Sequence, residues 1–451
     1  MNDIRSLVPI LSNSPRLEIE EMRIEELKRN TRSPRRHPEK QIAMLARSMA
    51  TFSFLVPGLI DEENRLLSGE ARVLAAERLG MTKIPVVRVQ HLSEAEKRAF
   101  IIADNKLAEL GSWDRDILRR ELQVFVELDI DFDFSVIGFE TAEVDIILDS
   151  KIDDSEDDSL PQIDRNAPAV SQPGDLWLAD QHRILCGNAL TAESYQTLLG
   201  GERAKLIVTD PPYNVPIDGH VGGSGSVRHR EFVMASGEMS PEQFETFLVI
   251  VATNMANFSA DGSLHYVFMD WRHATEILAA GKTAYSELKN ICVWRKTNAG
   301  MGSLYRSQHE FVFVFKNGTA AHINNVNLGA HGRNRSNVWD YGGINSFGKQ
   351  RHELLAIHPT VKPVALIADA IRDASARGDL VLDPFGGSGS TVIAAEKTGR
   401  RAALIEIDPL YADAIVRRWQ SFTGKDAICC RTGVTFTTRE QARALMPATA
   451  G

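Results

Sequence analysis

Leu380-Val381-Leu382-Asp383-Pro384-Phe385-Gly386-Gly387-Ser388-Gly389-Ser390-Thr391, continued by a helical stretch to Thr398 and by Ala402 to Asp408, decides the fold. An apolar strand runs into a glycine-rich turn, a helix follows, and a second strand ends in Glu406. This is a βαβ unit, with an acid about twenty residues past the glycines, where it can bind ribose hydroxyls. The glycines let a ligand approach the backbone closely. Two phosphate-binding readings fail on residue type. A dinucleotide fingerprint asks for a third glycine where Val392 stands, and a P-loop asks for a lysine that does not follow Gly389. A nucleoside cofactor without pyrophosphate fits better.

Outward from this unit the chain alternates strands and helices. Apolar runs at Lys205 to Thr209, Leu264 to Met269, Phe311 to Phe315, Leu380 to Leu382 and Ala402 to Ile407 read as buried strands. Amphipathic stretches such as Pro241 to Asn257 and Pro363 to Ser375 lie between several of them. The pattern is that of a doubly wound α/β sheet. One of these strands, Leu206-Ile207-Val208-Thr209, runs straight into Asp210-Pro211-Pro212-Tyr213, which places a carboxylate, a rigid corner and an aromatic ring at the ligand-binding edge of the sheet. Proline fixes the direction of the Pro211 carbonyl. That carbonyl and Asp210 can both accept hydrogen bonds from one exocyclic amino group, while Tyr213 offers a flat face to a heterocycle. A buried anion there stabilises positive charge developing on nitrogen as it attacks an electrophile.

The Asp-Pro-Pro-Tyr and Phe-x-Gly-x-Gly motifs, in this order, resemble the S-adenosylmethionine-dependent amino-methyltransferases of DNA in the circularly permuted arrangement termed the beta class. The resemblance covers about residues 173 to 425 and extends to His358-Pro359-Thr360-Val361-Lys362-Pro363 and to Gly187-Asn188-Ala189. It implies a Rossmann-like sheet with helices on both faces and S-adenosyl-L-methionine as cofactor. Asp210, Pro211, Pro212 and Tyr213 would be catalytic. Asn188, Asp210, Lys362, Asp383, Phe385, Gly387, Gly389 and Glu406 would bind the cofactor, Asn188 standing where the family usually has aspartate facing adenine. The product implied is N6-methyladenine in DNA, since the family more often carries Ser-Pro-Pro-Tyr when it acts on N4 of cytosine; that second product is the alternative. The target base must leave the duplex to reach such a pocket. Homodimers occur in the family, and no metal is expected.

The N-terminal part is a second, α+β domain. Pro38 stands in the first turn of an amphipathic helix, Val56 to Ile60 and Arg65 to Leu67 flank a turn, Glu70 to Leu79 is a helix stopped at Gly80, and Ser93-x-x-Glu96 opens another as a capping box. The run Ser68 to Gly80 with Ile84-Pro85-Val86-Val87 resembles the ParB/sulfiredoxin-type domain, over about residues 15 to 125. In some members this helix start holds a nucleotide phosphate; here Ala71 stands in place of the first arginine of the family's pair. A reading of a different class follows, a nucleotide-switched DNA-binding protein whose methyltransferase part is degenerate.

The chain of 451 residues has 51 Lys and Arg against 60 Asp and Glu, a formal charge of −9, which taken alone argues against a polyanionic partner. The charges are unevenly placed. Glu127 to Asp164 carries a net −13, leaving +4 for the remainder, and Lys282 to Lys362 carries +7 with Trp294, Tyr305, Trp339, Tyr341 and Phe347 interspersed. The basic stretch suits a nucleic-acid face, with recognition expected at about 317 to 357. Arg333, Arg335, Lys349 and Arg351 are its candidate DNA contacts, together with Arg228, His229 and Arg230 after the glycine-rich segment Gly219 to Gly225. The organisation expected is a ParB-like domain over 1–126, an acidic helical extension and linker over 127–172, a methyltransferase domain over 173–425 and a C-terminal tail over 426–451. Four cysteines without metal-ligand spacing, no leader-like start and no run near the ~20 apolar residues of a membrane span point to a cytoplasmic protein without membrane attachment.

Overall fold

The computed structural model describes residues 17–30, 34–127, 134–149, 168–214, 237–297, 304–326, 333–342 and 361–444. They fall into two compact units, Met1–Leu148 and Asp149–Gly451.

The N-terminal unit contains β1 (Ile19–Arg23), α1 (Glu39–Phe52), β2 (Gly58–Ile60), β3 (Leu66–Ser68), α2 (Glu70–Arg78), β4 (Lys83–Arg88), α3 (Glu94–Ala108), α4 (Arg115–Glu127) and α5 (Thr141–Asp149). Its four strands lie in the order β1-β4-β2-β3, with β2 antiparallel to β3 across the expected turn and parallel to β4. Ile60, Leu66, Val73, Ala76, Ile84 and Val86 form the core beneath it. Both expected helix signals are realised. Ser93 accepts from the Glu96 backbone while the Glu96 side chain accepts from Ser93, and α2 gives way to Gly80 at φ +73°. Gly69 starts α2 at φ +103°, where a Cβ would stand 3.3 Å from the Gly58 Cα and 3.2 Å from the Arg72 guanidinium. Only glycine permits that approach.

Next to this helix start lies a cavity of about 410 Å³ lined by Arg35, His37, Ser68, Glu70, Arg72 and Asp104, among others. Ala71, which replaces the family arginine, is buried in the unit, while the Arg72 Nε is buried with no hydrogen-bond partner.

The second unit contains β5 (Leu176–Ala179), β6 (His182–Cys186), α6 (Ala192–Leu199), β7 (Ala204–Thr209), α7 (Pro241–Asn257), β8 (Ser259–Met269), α8 (Ala274–Ala284), β9 (Glu287–Arg295), β10 (His309–Lys316) and β11 (Val338–Asp340). It continues through α9 (Val364–Ala374), β12 (Leu380–Asp383), α10 (Ser390–Thr398), β13 (Arg401–Glu406), α11 (Pro409–Thr423), β14 (Ile428–Cys429) and α12 (Phe436–Ala444). Ten strands form one sheet in the order β11-β9-β10-β8-β7-β12-β13-β6-β5-β14. From β8 to β6 every pair is parallel, and β10, β9 and β5 add antiparallel edges.

Period two along the central strands sorts side chains onto two helix layers. On β13, Ala402 and Leu404 face the core shared with α9, α10 and α11, while Ala403 and Ile405 face the one shared with α6, α7 and α8. The expected doubly wound α/β sheet is therefore realised.

The C-terminal tail is corrected. Residues 428–429 pair with β5 as the last strand of the sheet, and Phe436 is fully buried, edge-on to Trp177 at 5.1 Å. Arg431 and Arg439 pair with the buried Asp175 at 2.6 and 2.7 Å. The apolar residues of this stretch are too sparse to show periodicity, so only the partner surface reveals that they are core. Phe436→Ala is expected to destabilise the unit by about 3 kcal/mol, read as a lowered urea midpoint at unchanged slope; an unmoved midpoint would make the segment a true tail.

Candidate active site

The chain leaves β7 for β8 on one side and leaves β12 for β13 on the other, so a crevice opens where the carboxyl ends of β7 and β12 diverge. The two strands are held in register by Leu206 opposite Val381 and Ile207 opposite Leu382. Thr209 Oγ1 then donates to Asp383 Oδ1 at 2.8 Å, tying the two motif-bearing ends together. Strand adjacency alone thus lines up Asp210, Asp383 with Phe385, Glu406 and Asn188 along one edge.

One half of this edge is built from buried carboxylates and a glycine turn. Asp383 accepts from Thr209, from Thr391 Oγ1 at 2.6 Å and from the Phe385 N–H at 3.1 Å, which shapes the turn. Glu406 accepts the Gly387 N–H at 2.8 Å on one oxygen and the Asp408 N–H at 2.9 Å on the other. Burial pushes both carboxyls up to about 7. Gly387 and Gly389 adopt positive φ, and a Cβ on Gly386 would meet Ile415 Cδ1 at 2.8 Å, so part of the glycine requirement is close packing on α11. Asn188 follows β6, its Oδ1 accepting from the Leu190 N–H at 2.9 Å. Gly187 donates to the Glu406 carbonyl at 2.9 Å and so joins the ends of β6 and β13.

The other half is a charged cluster set among aromatic rings. Tyr213 donates its hydroxyl to Asp210 Oδ1 at 2.5 Å and lies 3.1 Å from Glu310 Oε2. Lys362 Nζ sits 2.5 Å from Asp210 Oδ2 and 3.2 Å from Glu310 Oε2, and Lys296 Nζ lies 2.5 Å from Glu310 Oε1. The Lys362 ammonium is also within 5.4 Å of the Tyr213 ring, 5.3 Å of Phe268 and 5.9 Å of Trp294. Burial raises the Asp210 carboxyl, and Lys362 opposes that rise. For Glu310 burial acts the same way, but Lys362 and Lys296 together hold it below the usual carboxylate range.

Sequence reasoning missed Glu310, Lys296 and the caging Trp294. A signal existed: Glu310 shares with Val312 and Val314 the apolar face of a buried strand, where a lone carboxylate requires a cation partner. Lys362, expected at the cofactor, reaches the Asp210 carboxylate. Tyr213 is tied by its hydroxyl to two acids.

The basic stretch divides. Arg333 reaches Asp373 Oδ1 at 2.7 Å and Asp369 Oδ1 at 3.3 Å, and Arg335 Nη1 reaches Asp369 Oδ2 at 2.7 Å and the Tyr341 hydroxyl at 2.9 Å. These two guanidinium groups are mostly buried and neutralised by α9, which corrects their expected role as DNA contacts. Arg228, His229, Arg230, Lys349 and Arg351 lie outside the described residues, as do the segment Gly219 to Gly225 and much of 317–357. Among the described residues there is no group of His, Cys, Asp and Glu that could hold a metal ion, and no helix long and apolar enough to cross a membrane.

The profile of a family described as DNA methylase matches residues 204–417, spanning both motif-bearing strands and the charged cluster. The matched residues, a little under half of the chain, all lie in the C-terminal unit. Two further profiles match upstream of it, the ParB N-terminal domain over 12–106 and a ParB-methyltransferase HTH domain over 116–173. The HTH match takes in α4, which the sequence reading assigned to the ParB-like domain, and continues over 127–172, read as an acidic helical extension and linker, where α5 is found. Among curated relatives, the type II methyltransferase M.HpaI of Haemophilus parainfluenzae is 26% identical over 54% of this chain and 77% of its own length. The type II methyltransferase M2.DpnII of Streptococcus pneumoniae is 27% identical over 49% of this chain and 84% of its own. Among solved structures, that of the M1.HpyAVI–SAM complex covers 52% of this chain and 97% of its own at 20% identity, with a TM-score of 0.39.

The strand-end residues fit S-adenosyl-L-methionine, the cofactor expected from the sequence motifs. Asp383 and Glu406 are held up to about 7 by burial with no cation among the main influences on them, so this edge favours a ligand with positive charge and hydroxyl donors. Such a ligand prefers both groups ionised. Cofactor affinity is therefore expected to approach its full value about a unit above pH 7 and to fall as pH drops through 7 toward 6 and both groups take up protons. Calorimetric titration at pH 6 and pH 8 checks this, and equal affinities at both would contradict it.

Proposed function

We propose that this protein transfers a methyl group from S-adenosyl-L-methionine to an exocyclic amino group in DNA, N6 of adenine. The observation that carries the reading is the Asp210 carboxylate, set at the crevice beside a proline corner and an aromatic ring, on the strand adjacent to the cofactor edge. When bound, the cofactor supplies an electrophilic methyl on a sulfonium centre. Asp210 and the Pro211 carbonyl accept the two amino hydrogens of the target, which counters delocalisation of its lone pair into the ring and orients that pair toward the methyl. Asp210 then stabilises the positive charge that develops on nitrogen as its bond to the methyl carbon forms and the methyl–sulfur bond breaks, the excess proton on nitrogen passing to solvent. Tyr213 stacks on the flipped base, with its hydroxyl anchored to the acids.

Adenine is favoured by aspartate at the head of the motif. The amino group of cytosine presents the same two hydrogens beside a ring nitrogen, so N4-methylcytosine is the alternative product. The relatives being type II methyltransferases supports action at a defined DNA sequence.

Incubation with methyl-labelled S-adenosyl-L-methionine and unmethylated mixed-sequence DNA tests the reading, with RNA and protein as competing acceptors. Label is expected in DNA alone; label in RNA or protein, or none, would overturn the reading.

A second activity in the N-terminal unit is favoured by the Arg72 guanidinium, whose buried, unpartnered Nε lies at a cavity beside a helix start. An anionic ligand such as a nucleotide would complete it. A CTP titration of the full chain checks this against Arg72→Ala.

A further inference from the structure

Resting on the reading of Asp210 as the seat of the target amino group, we infer that the Lys362 ammonium occupies that seat before DNA binds. Glu310 is the anchor to which it withdraws. Asp210 already receives one donor on each oxygen, Tyr213 on Oδ1 and Lys362 on Oδ2. A spare lone pair would let the amino group join Lys362 there, but the result would oppose the chemistry. Nitrogen becomes positive during transfer, and an ammonium on the same carboxylate repels that charge in a site from which water is largely excluded. Lys362 must leave Asp210 for the carboxylate to serve the base.

The structure supplies the place for it to go. Glu310 Oε2 lies 3.2 Å from the same nitrogen, so a small rotation turns a shared contact into an exclusive one. Lys296 engages the other oxygen of Glu310, leaving Oε2 to Lys362 and to the Tyr213 hydroxyl at 3.1 Å. The lysine backbone is held while its head group moves: Ser390 Oγ donates to the Lys362 carbonyl at 2.7 Å. Tyr213, Phe268 and Trp294 surround the ammonium with ring faces that tolerate a cation without fixing its direction. Glu310 is thus a positioning residue that acts through Lys362, and the exchange sets how readily a base enters.

Glu310→Gln keeps the shape and removes the charge that draws Lys362 away. Steady-state transfer to unmethylated DNA is expected to show KM for DNA raised roughly tenfold, the scale of one charge-assisted hydrogen bond, with kcat and cofactor affinity within about twofold. Glu310→Asp is expected to recover most of the loss. In a Lys362→Met background Glu310→Gln is expected to leave KM for DNA unchanged, because the occupant it acts on is gone. The inference is overturned by an unchanged KM in Glu310→Gln, by kcat and cofactor affinity falling together as in a disordered site, or by the same KM effect with and without Lys362. Absence of methyl transfer by the wild type would instead overturn the reading of Asp210 itself, and this inference with it.

Discussion

Replacing Asp210 with alanine is expected to lower the single-turnover rate of methyl transfer by about 10³-fold, the scale seen when one preorganised group facing developing charge is removed, while cofactor affinity changes little. Asp210 shares the crevice with the cofactor edge, yet its hydrogen bonds run to Tyr213 and Lys362 and none to Asp383 or Glu406. Lys362 keeps Glu310 as a partner in the variant, so no cation is stranded in the interior and the fold survives. A variant that loses cofactor binding in step with rate would show that Asp210 builds the cofactor site rather than serving the acceptor.

Asp373→Ala is expected to destabilise the second unit by about 3 kcal/mol, the lower end for stripping one partner from a buried ion cluster. Arg333 would lose its 2.7 Å contact and Arg335 a salt bridge at 2.8 Å, leaving both guanidinium groups to share Asp369. Arg335→Ala follows the same logic from the other side, since Asp369 and Asp373 would then crowd each other with one cation fewer. Denaturation midpoints measure both, and DNA binding over a range of salt supplies the contrast. Neither variant is expected to alter the slope of affinity against salt; a shallower slope with stability intact would restore these arginines to the DNA face.

Much of the cofactor edge was legible in the chain because its signals are local. Strand, glycine turn, helix and strand follow one another within Leu380 to Glu406, and Asp-Pro-Pro-Tyr is contiguous, so each reads without knowledge of its neighbours. What brings the two together is the pairing of β7 with β12, strands more than 170 residues apart, which no local pattern encodes.

The charged cluster at Asp210 was half-legible for the same reason. Asp210 and Tyr213 belong to the motif, whereas Lys296, Glu310 and Lys362 join it from β9's end, β10 and the residues before α9. Charge counting misled at Arg333 and Arg335. Both contribute to the +7 of Lys282 to Lys362, but their counter-ions Asp369 and Asp373 lie just beyond that window on α9. Composition also hid the region of the HTH match: the acidic run from Glu127 to Asp164 reads as a helical extension and linker, although Val144 and Asp145 of α5 are buried.

The central claim, methyl transfer to an amino group seated at Asp210, is tested most directly by digesting DNA methylated by the wild-type protein to nucleosides and locating the label. Label is expected in N6-methyl-2′-deoxyadenosine, with Asp210→Ala yielding none above background under the same conditions. Label in N4-methyl-2′-deoxycytidine would keep the chemistry and change the base. Label on a carbon atom of any base, or equal label from the Asp210 variant, would contradict the account.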